Sequence, residues 1–298
     1  MNTHLHSRLR WEAFRGRATG LMLCCAVSGC VTARSPVRYV PAEEAAWFKF
    51  GKDLPAEGRV ELSGTRARAM QLAMERFLPW NVRPPYGAAR SDICILQRQS
   101  WDVEMAPGRE GTTLVRFSLA PGACYRWGPP LDMESTYEVD VRNGRLMEGE
   151  PMQSPPELPR EGRLRLEGNV AAAIQLALED FLPGKALPPE GTRPEEACLY
   201  RPDSYDVTAA PEPMGVVQVR FTVDEQACPT KALWGSSGAL ARMDRTVHAV
   251  DIRTMRILAV GNHAHLRHTA QAPAEGTPEK EKPAGSEPTS QERKAQPH

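Results

Sequence analysis

The residues able to do chemistry in this chain form three groups. The first is seven cysteines. Cys24, Cys25 and Cys30 crowd the N-terminus, whereas Cys94 and Cys124 stand 30 residues apart, as do Cys198 and Cys228. The second is the histidines, which are absent between Cys30 and Val247 and gather at His263, His265 and His268. The third is a set of carboxylates, Glu75 with Asp102 and Glu179 with Asp206, each pair at the same interval. Thiolates act as nucleophiles or metal ligands, histidine as base or ligand, and paired carboxylates as acid and base.

Each option narrows on inspection. Without a histidine, the first half of the mature chain cannot build a Ser–His or Cys–His couple by itself. No phosphate-cradling glycine loop, H-E-x-x-H or G-x-S-x-G motif is present. A non-catalytic protein without a cofactor is therefore expected. On an extended strand His263 and His265 would point to one side, and with His268 they form a candidate zinc or copper site. The competing reading is a solvated end-of-domain segment. Trp127 and Trp234, each followed by glycine, are candidate binding anchors, since tryptophan is enriched at interface centres. They serve equally well as lids on a core.

The recurring intervals come from a duplication. LPAEGRVELSG at Leu54 returns as LPREGRLRLEG at Leu158, and AMQLAMERFLP at Ala69 returns as AIQLALEDFLP at Ala173. Aligned without a gap at an offset of 104, Leu54–Cys124 and Leu158–Cys228 share 31 of 71 residues. YEVDVR at Tyr137 matches HAVDIR at His248 after seven extra residues in the second copy. Each copy is the size of a small domain, too long for a solenoid repeat.

The elements that position these residues follow from periodicity. Val170, Ala173, Ile174, Ala177, Leu178, Phe181 and Leu182 recur at three- and four-residue steps, which predicts a helix with one apolar stripe. Ala69, Met70, Ala73, Met74, Phe77 and Leu78 repeat it in the first copy. Gln71 and Glu75, like Gln175 and Glu179, fall one turn apart on a face expected to be solvated. Pro79 and Pro183 end the helices. SWDV and VRFSL flank a Pro/Gly-rich stretch and predict a β-hairpin, and TYEVDV runs into a second turn at Asn143-Gly144. A short strand, RVEL or RLRL, precedes each helix. The fold class is α+β, with two tandem modules, each one helix packed on a small antiparallel sheet.

Within each copy the two cysteines stand fifteen residues either side of the hairpin turn, centred on 109 and 213. Positions equidistant from a turn face one another in an antiparallel hairpin. That predicts the bridges Cys94–Cys124 and Cys198–Cys228, clamping the hairpin bases. The alternative is a zinc site of all four cysteines, although no close C-x-x-C pair is present.

The N-terminus explains the remaining cysteines. Arg8, Arg10, Arg15 and Arg17 precede an apolar, small-residue run from Ala18 to Gly29, the layout of a secretory signal. The run is shorter than the roughly 20 residues a membrane span needs. It ends in Val27-Ser28-Gly29-Cys30, which resembles the lipobox of bacterial lipoproteins. The resemblance implies cleavage before Cys30, lipidation of its sulfur, and acylation of the new amino group by a fatty acid such as palmitate. Val31 in place of aspartate implies the outer membrane in preference to the inner, with the body facing the periplasm or the surface. Cys24 and Cys25 would leave with the signal. The alternative is cleavage elsewhere, leaving a soluble periplasmic protein.

The expected organisation is a signal peptide over 1–29, a lipidated tether over 30–53, module one over 54–150, module two over 151–266 and a disordered tail over 267–298. The tail is rich in Pro, Glu, Lys and Ser and poor in large apolar residues. Removing 1–29 leaves 33 Lys+Arg against 36 Asp+Glu, a formal charge of −3. That offers no basic patch for nucleic acid. The expected role is a lipid-anchored envelope component that binds or assembles with a protein partner. The alternative is a lipoprotein that handles a metal or small ligand through its C-terminal histidines.

Overall fold

The computed structural model describes residues 37–51, 53–124, 134–147, 157–182, 187–229 and 246–262. The protein is α+β, with two similar modules that each lay one long helix on an antiparallel sheet and carry one disulfide. After the short helix α1 (Ala42–Ala45), module one contributes β1 (Val60–Leu62), α2 (Gly64–Phe77), α3 (Arg90–Ile95), β2 (Trp101–Pro107), β3 (Thr113–Leu119), β4 (Glu134–Asp140) and β5 (Arg145–Met147). Module two contributes β6 (Leu164–Leu166), α4 (Gly168–Phe181), β7 (Tyr205–Glu212), β8 (Val216–Val223), β9 (Thr246–Asp251) and β10 (Arg256–Asn262).

The strand order reveals what the repeat conceals. One sheet runs β5-β4-β3-β2-β6 and the other β1-β7-β8-β9-β10. Each leading strand therefore completes the sheet of the opposite copy. Val60, Glu61 and Leu62 pair with Ala209, Thr208 and Val207, while Leu164, Arg165 and Leu166 pair with Met105, Glu104 and Val103. Exchange of the strands merges the interiors: a single core holds Met70, Phe117 and Val139 together with Ile174, Phe221 and Val250.

Directly after its exchanged strand, each long helix begins against the backbone of the other copy. A Cβ on Gly168 would stand 2.8 Å from the Trp101 carbonyl oxygen and closer still to that of Gln99. One on Gly64 would stand 2.8 Å from the Tyr205 carbonyl oxygen and closer still to that of Asp203. No other residue fits either place. The first N–H groups of a helix lack partners within it. Here the opposite copy supplies them: Asp102 Oδ1 accepts from Gly168 N at 3.0 Å, and Asp206 Oδ1 accepts from Gly64 N at 3.2 Å. A carboxylate at this end also complements the helix dipole.

Downstream, the helices cover the inner faces of the sheets. Phe77 stacks on Phe117 at 4.7 Å, with Tyr137 edge-on to Phe117. At the matching place Phe181 stacks on Phe221 at 4.4 Å, and His248 takes the edge-on position. The face expected to be solvated is not: Gln71 and Gln175 are both buried. Helix α4 is enclosed further than one stripe requires, with every residue from Val170 to Leu178 buried. Core from both copies surrounds it.

The disulfides pair as their spacing predicts, 94 with 124 and 198 with 228. They do not clamp strands. Cys94 lies in α3 and Cys198 in a 3-10 segment (Pro194–Tyr200), and each joins the turn after its hairpin. The hairpin registers, Trp101↔Leu119 and Tyr205↔Val223, end before the cysteines are reached. Beside each bridge the copies keep one hydrogen bond with different donors. Trp101 Nε1 donates to Ile95 O at 2.9 Å, and Tyr205 OH donates to Leu199 O at 2.7 Å. Bridged sulfurs are not thiolates, so the four-cysteine zinc arrangement is replaced by these bonds.

Two outcomes test the interlock. Gly→Ala inside a helix ordinarily stabilises by up to about 1 kcal/mol. Gly168→Ala is expected to destabilise instead, by about 1–3 kcal/mol, because the methyl group meets backbone. Urea denaturation reads the sign. Secondly, a protease site placed between residues 149 and 156 and cut after folding should leave both fragments in one particle. Elution of two separate half-size species on gel filtration would show that the strands are not exchanged.

Candidate functional site

Part of the segment expected to be a tether is docked. Val40 N donates to Ile257 O at 2.9 Å and Ile257 N donates to Arg38 O at 2.8 Å, so the arm extends the β10 edge in parallel. Phe48 is then buried against Val216, Ala249 and Leu258 on the outer face of module two's sheet. The first copy carries Thr112, Glu138 and Met147 at the aligned places, which offer an arm little to bury against. The apolar outer face of module two thus has its explanation in residues 37–50.

A polar clamp secures the arm. Tyr39 OH donates to Asp180 Oδ1 at 2.6 Å, and Asp180 Oδ2 lies 3.0 Å from His248 Nε2. His248 is 1% exposed and, among the described residues, its Nδ1 has no partner, so the imidazole's polar tie there is to Asp180. Burial pushes the Asp180 carboxyl up, but the hydrogen bonds from His248 and Tyr39 and the His248 charge outweigh it and hold the group below its ordinary range. The Tyr39 hydroxyl moves upward, by burial first and then by the bond and charge of Asp180.

A second polar centre lies where the modules meet. Arg98 is 4% exposed. Its Nε donates to Leu78 O at 2.9 Å and its Nη1 to Gln175 Oε1 at 2.5 Å, while its guanidinium sits 3.7 Å from the centre of the Trp80 ring. Among the described residues Nη2 and Gln175 Nε2 have no hydrogen-bond partner. Burial lowers the Arg98 pKa to about 10, against the opposing pull of the Glu75 and Glu179 carboxylates, so the group stays charged at neutral pH. A cleft of about 310 Å³ opens beside it, bounded across the modules by Arg253, Thr254 and Met255.

Of the carboxylates singled out by their intervals, Asp102 and Asp206 are taken up by the helix starts, and Glu75 and Glu179 act on Arg98. Asp102 is held by Gly168 N and by Arg165 Nη2 at 2.9 Å. Glu61 stands where Arg165 stands in the other copy, so Asp206 has no such cation; partial burial, with Asp224 and Glu61 nearby, raises its carboxyl despite the Gly64 N–H. Both residues serve the helix starts. Cys30, Trp127, Trp234, His263, His265 and His268 lie outside the described residues. Among the described residues no group of three or more His, Cys, Asp or Glu is placed to hold a metal ion, and no helix is long and apolar enough to cross a membrane. Sequence reasoning missed Tyr39, Arg98, Asp180 and His248. Only one signal existed for them: His248, Asp180 and Arg98 depart from Tyr137, Arg76 and Pro202 in the other copy.

The clamp has a defined pH window. A lowered Asp180 contributes stability that is present above about pH 4 and lost as pH falls through its folded value. A raised Tyr39 contributes stability present below about pH 10 and lost as pH rises through its folded value. Arm docking, followed by hydrogen exchange of residues 37–50, is therefore expected to hold between these limits and weaken beyond both. Tyr39→Phe should cost about 0.5–1 kcal/mol, since Tyr39 is about half exposed. Asp180→Ala should cost about 2 kcal/mol by stranding the buried imidazole.

No protein-family model matches the chain, and no curated protein and no solved structure matches it. What the protein does is read from its own residues.

Proposed function

We propose that the protein is a lipid-anchored, non-catalytic component of the bacterial cell envelope that binds or assembles with a protein partner. The basic start, the apolar run and Val27-Ser28-Gly29-Cys30 support export and lipidation at Cys30. The docked arm is the observation that carries the reading further. Six residues separate Cys30 from Val37, the first described residue, so the two Cα atoms stand at most about 25 Å apart when that stretch is extended. A lipid on Cys30 would thus hold module two close to the bilayer, with the Tyr39 clamp transmitting the tether. Two or more acyl chains on one residue are enough for firm anchoring.

The binding role is supported by how the reactive residues are spent. Four cysteines are in bridges, Asp102 and Asp206 serve helix starts, and Asp180 and His248 secure the arm. Their chemistry builds a rigid body. Trp127 and Trp234 are the proposed partner anchors, and the outer membrane is the proposed site because Val31 follows Cys30.

Mass spectrometry of the mature N-terminal peptide tests the anchor. The expected result is a peptide beginning at Cys30 that carries a sulfur-linked diacylglycerol and an N-acyl chain, recovered from the membrane fraction. An unmodified Cys30 in the soluble fraction would overturn it. Crosslinking in native membranes, with Trp127→Ala and Trp234→Ala as comparison, tests the partner. Loss of a specific crosslink in the double variant, with its thermal unfolding unchanged, is expected.

A further inference from the structure

We propose that the cleft between Trp80 and the β9–β10 turn binds a small monocarboxylate bearing an apolar or aromatic group. The proposal is independent of the lipid anchor and of any protein partner.

Four observations converge on this cleft. First, Arg98 is a buried cation whose Nη2 donor is unmatched among the described residues. Such a donor costs about 1–3 kcal/mol unless an acceptor reaches it. Second, the residues here are those in which the copies differ. Trp80 and Arg98 align with Gly184 and Pro202, and Thr254-Met255 align with Asn143-Gly144. The other copy builds the same helix-on-sheet frame without them. Third, Met255 holds a backbone φ of +50°, the left-handed region that its counterpart Gly144 occupies at +61° without strain. Strain kept at a cleft marks a place where side-chain identity matters. Fourth, the volume of about 310 Å³ stands at the lower end for small-ligand sites.

The chemistry selects the class. Arginine only donates, so its missing partner is an acceptor. Glu75 and Glu179 already offset part of its charge, which favours a single negative charge over a phosphate dianion. Leu78, Val82, Leu96 and Met255 supply apolar wall, and the Trp80 ring sits against the guanidinium. Nη2 is shielded at present. Gln97 and Gln99 flank Arg98 and line the same cleft, and on this proposal a ligand reaches Nη2 by local rearrangement of such flexible lining side chains.

The test titrates the mature, full-length protein with 3-phenylpropionate, with its neutral amide, and with the tripeptide Ala-Ala-Phe as free acid and as amide. The Trp80 indole and Arg98 Nε–H resonances are the readouts. Saturable shifts are expected with the acids, and at least tenfold weaker binding with the amides. Val82→Glu, at a half-exposed position, should weaken acid binding at least tenfold while leaving the unfolding curve in place. Arg98→Met should also weaken acid binding at least tenfold, but it strands Leu78 O and Gln175 Oε1 and lowers stability, so Val82→Glu keeps the test decisive. Tighter binding of the tripeptide acid identifies a chain terminus as the source, and tighter binding of phenylpropionate a free acid; both support the proposal. No saturable shift, equal binding of acids and amides, or unchanged binding to Val82→Glu would overturn it and leave Nη2 to ordered water.

Discussion

Two glycines decide the architecture. At Gly64 and Gly168 the first turn of a helix comes so near the opposite copy's chain that no side chain fits between them. From this approach the rest follows. The helix N-terminus reaches the carboxylate of Asp206 or Asp102, the strand just before it lies along the opposite sheet, and the two interiors join as one. If the helix stood off by the width of a methyl group, the capping carboxylate would lose its reach. The closeness also explains why α4 is buried around most of its circumference: it has core from both copies around it.

Much of this was readable from residue order, because local rules decide local elements. The helix stripes, the hairpins and the cysteine pairing depend on spacing within one copy, and each took its expected form. The partner of a three-residue strand does not depend on local rules. RVEL and RLRL alternate in the same way whichever sheet they join, so the exchange left no mark in them. The same limit misplaced Gln71 and Gln175. Each sits on the polar side of its helix, but a second body of core approaches from that side. The bridges paired as expected for an imperfect reason: the strands stop short, and the sulfurs meet where a short helix faces a turn.

The copies share a frame and differ in what they do with it. An edge-on ring against two stacked phenylalanines is a tyrosine in one copy and a histidine in the other. The hydrogen bond beside each disulfide comes from an indole in one and a phenol in the other. These swaps preserve shape while changing polarity. Only the histidine needs a carboxylate, and Asp180 supplies it and then holds the arm through Tyr39. Among the described residues the clamp therefore stands on one side, as does the arm. Tyr39 lay within a stretch that reads as spacer, with no periodicity to single it out.

The reciprocal strands carry a consequence for ancestry. A single module of this type would have an unfinished sheet and a helix start with no carboxylate. It could complete both only against a second copy of itself, through the same patch on each, which is an isologous twofold contact. The simplest forerunner of this chain is then an intertwined homodimer whose single gene was duplicated and fused. Joining the copies removed the concentration dependence of assembly. It also freed each half from the identity that symmetry enforces, so that one could take up the arm.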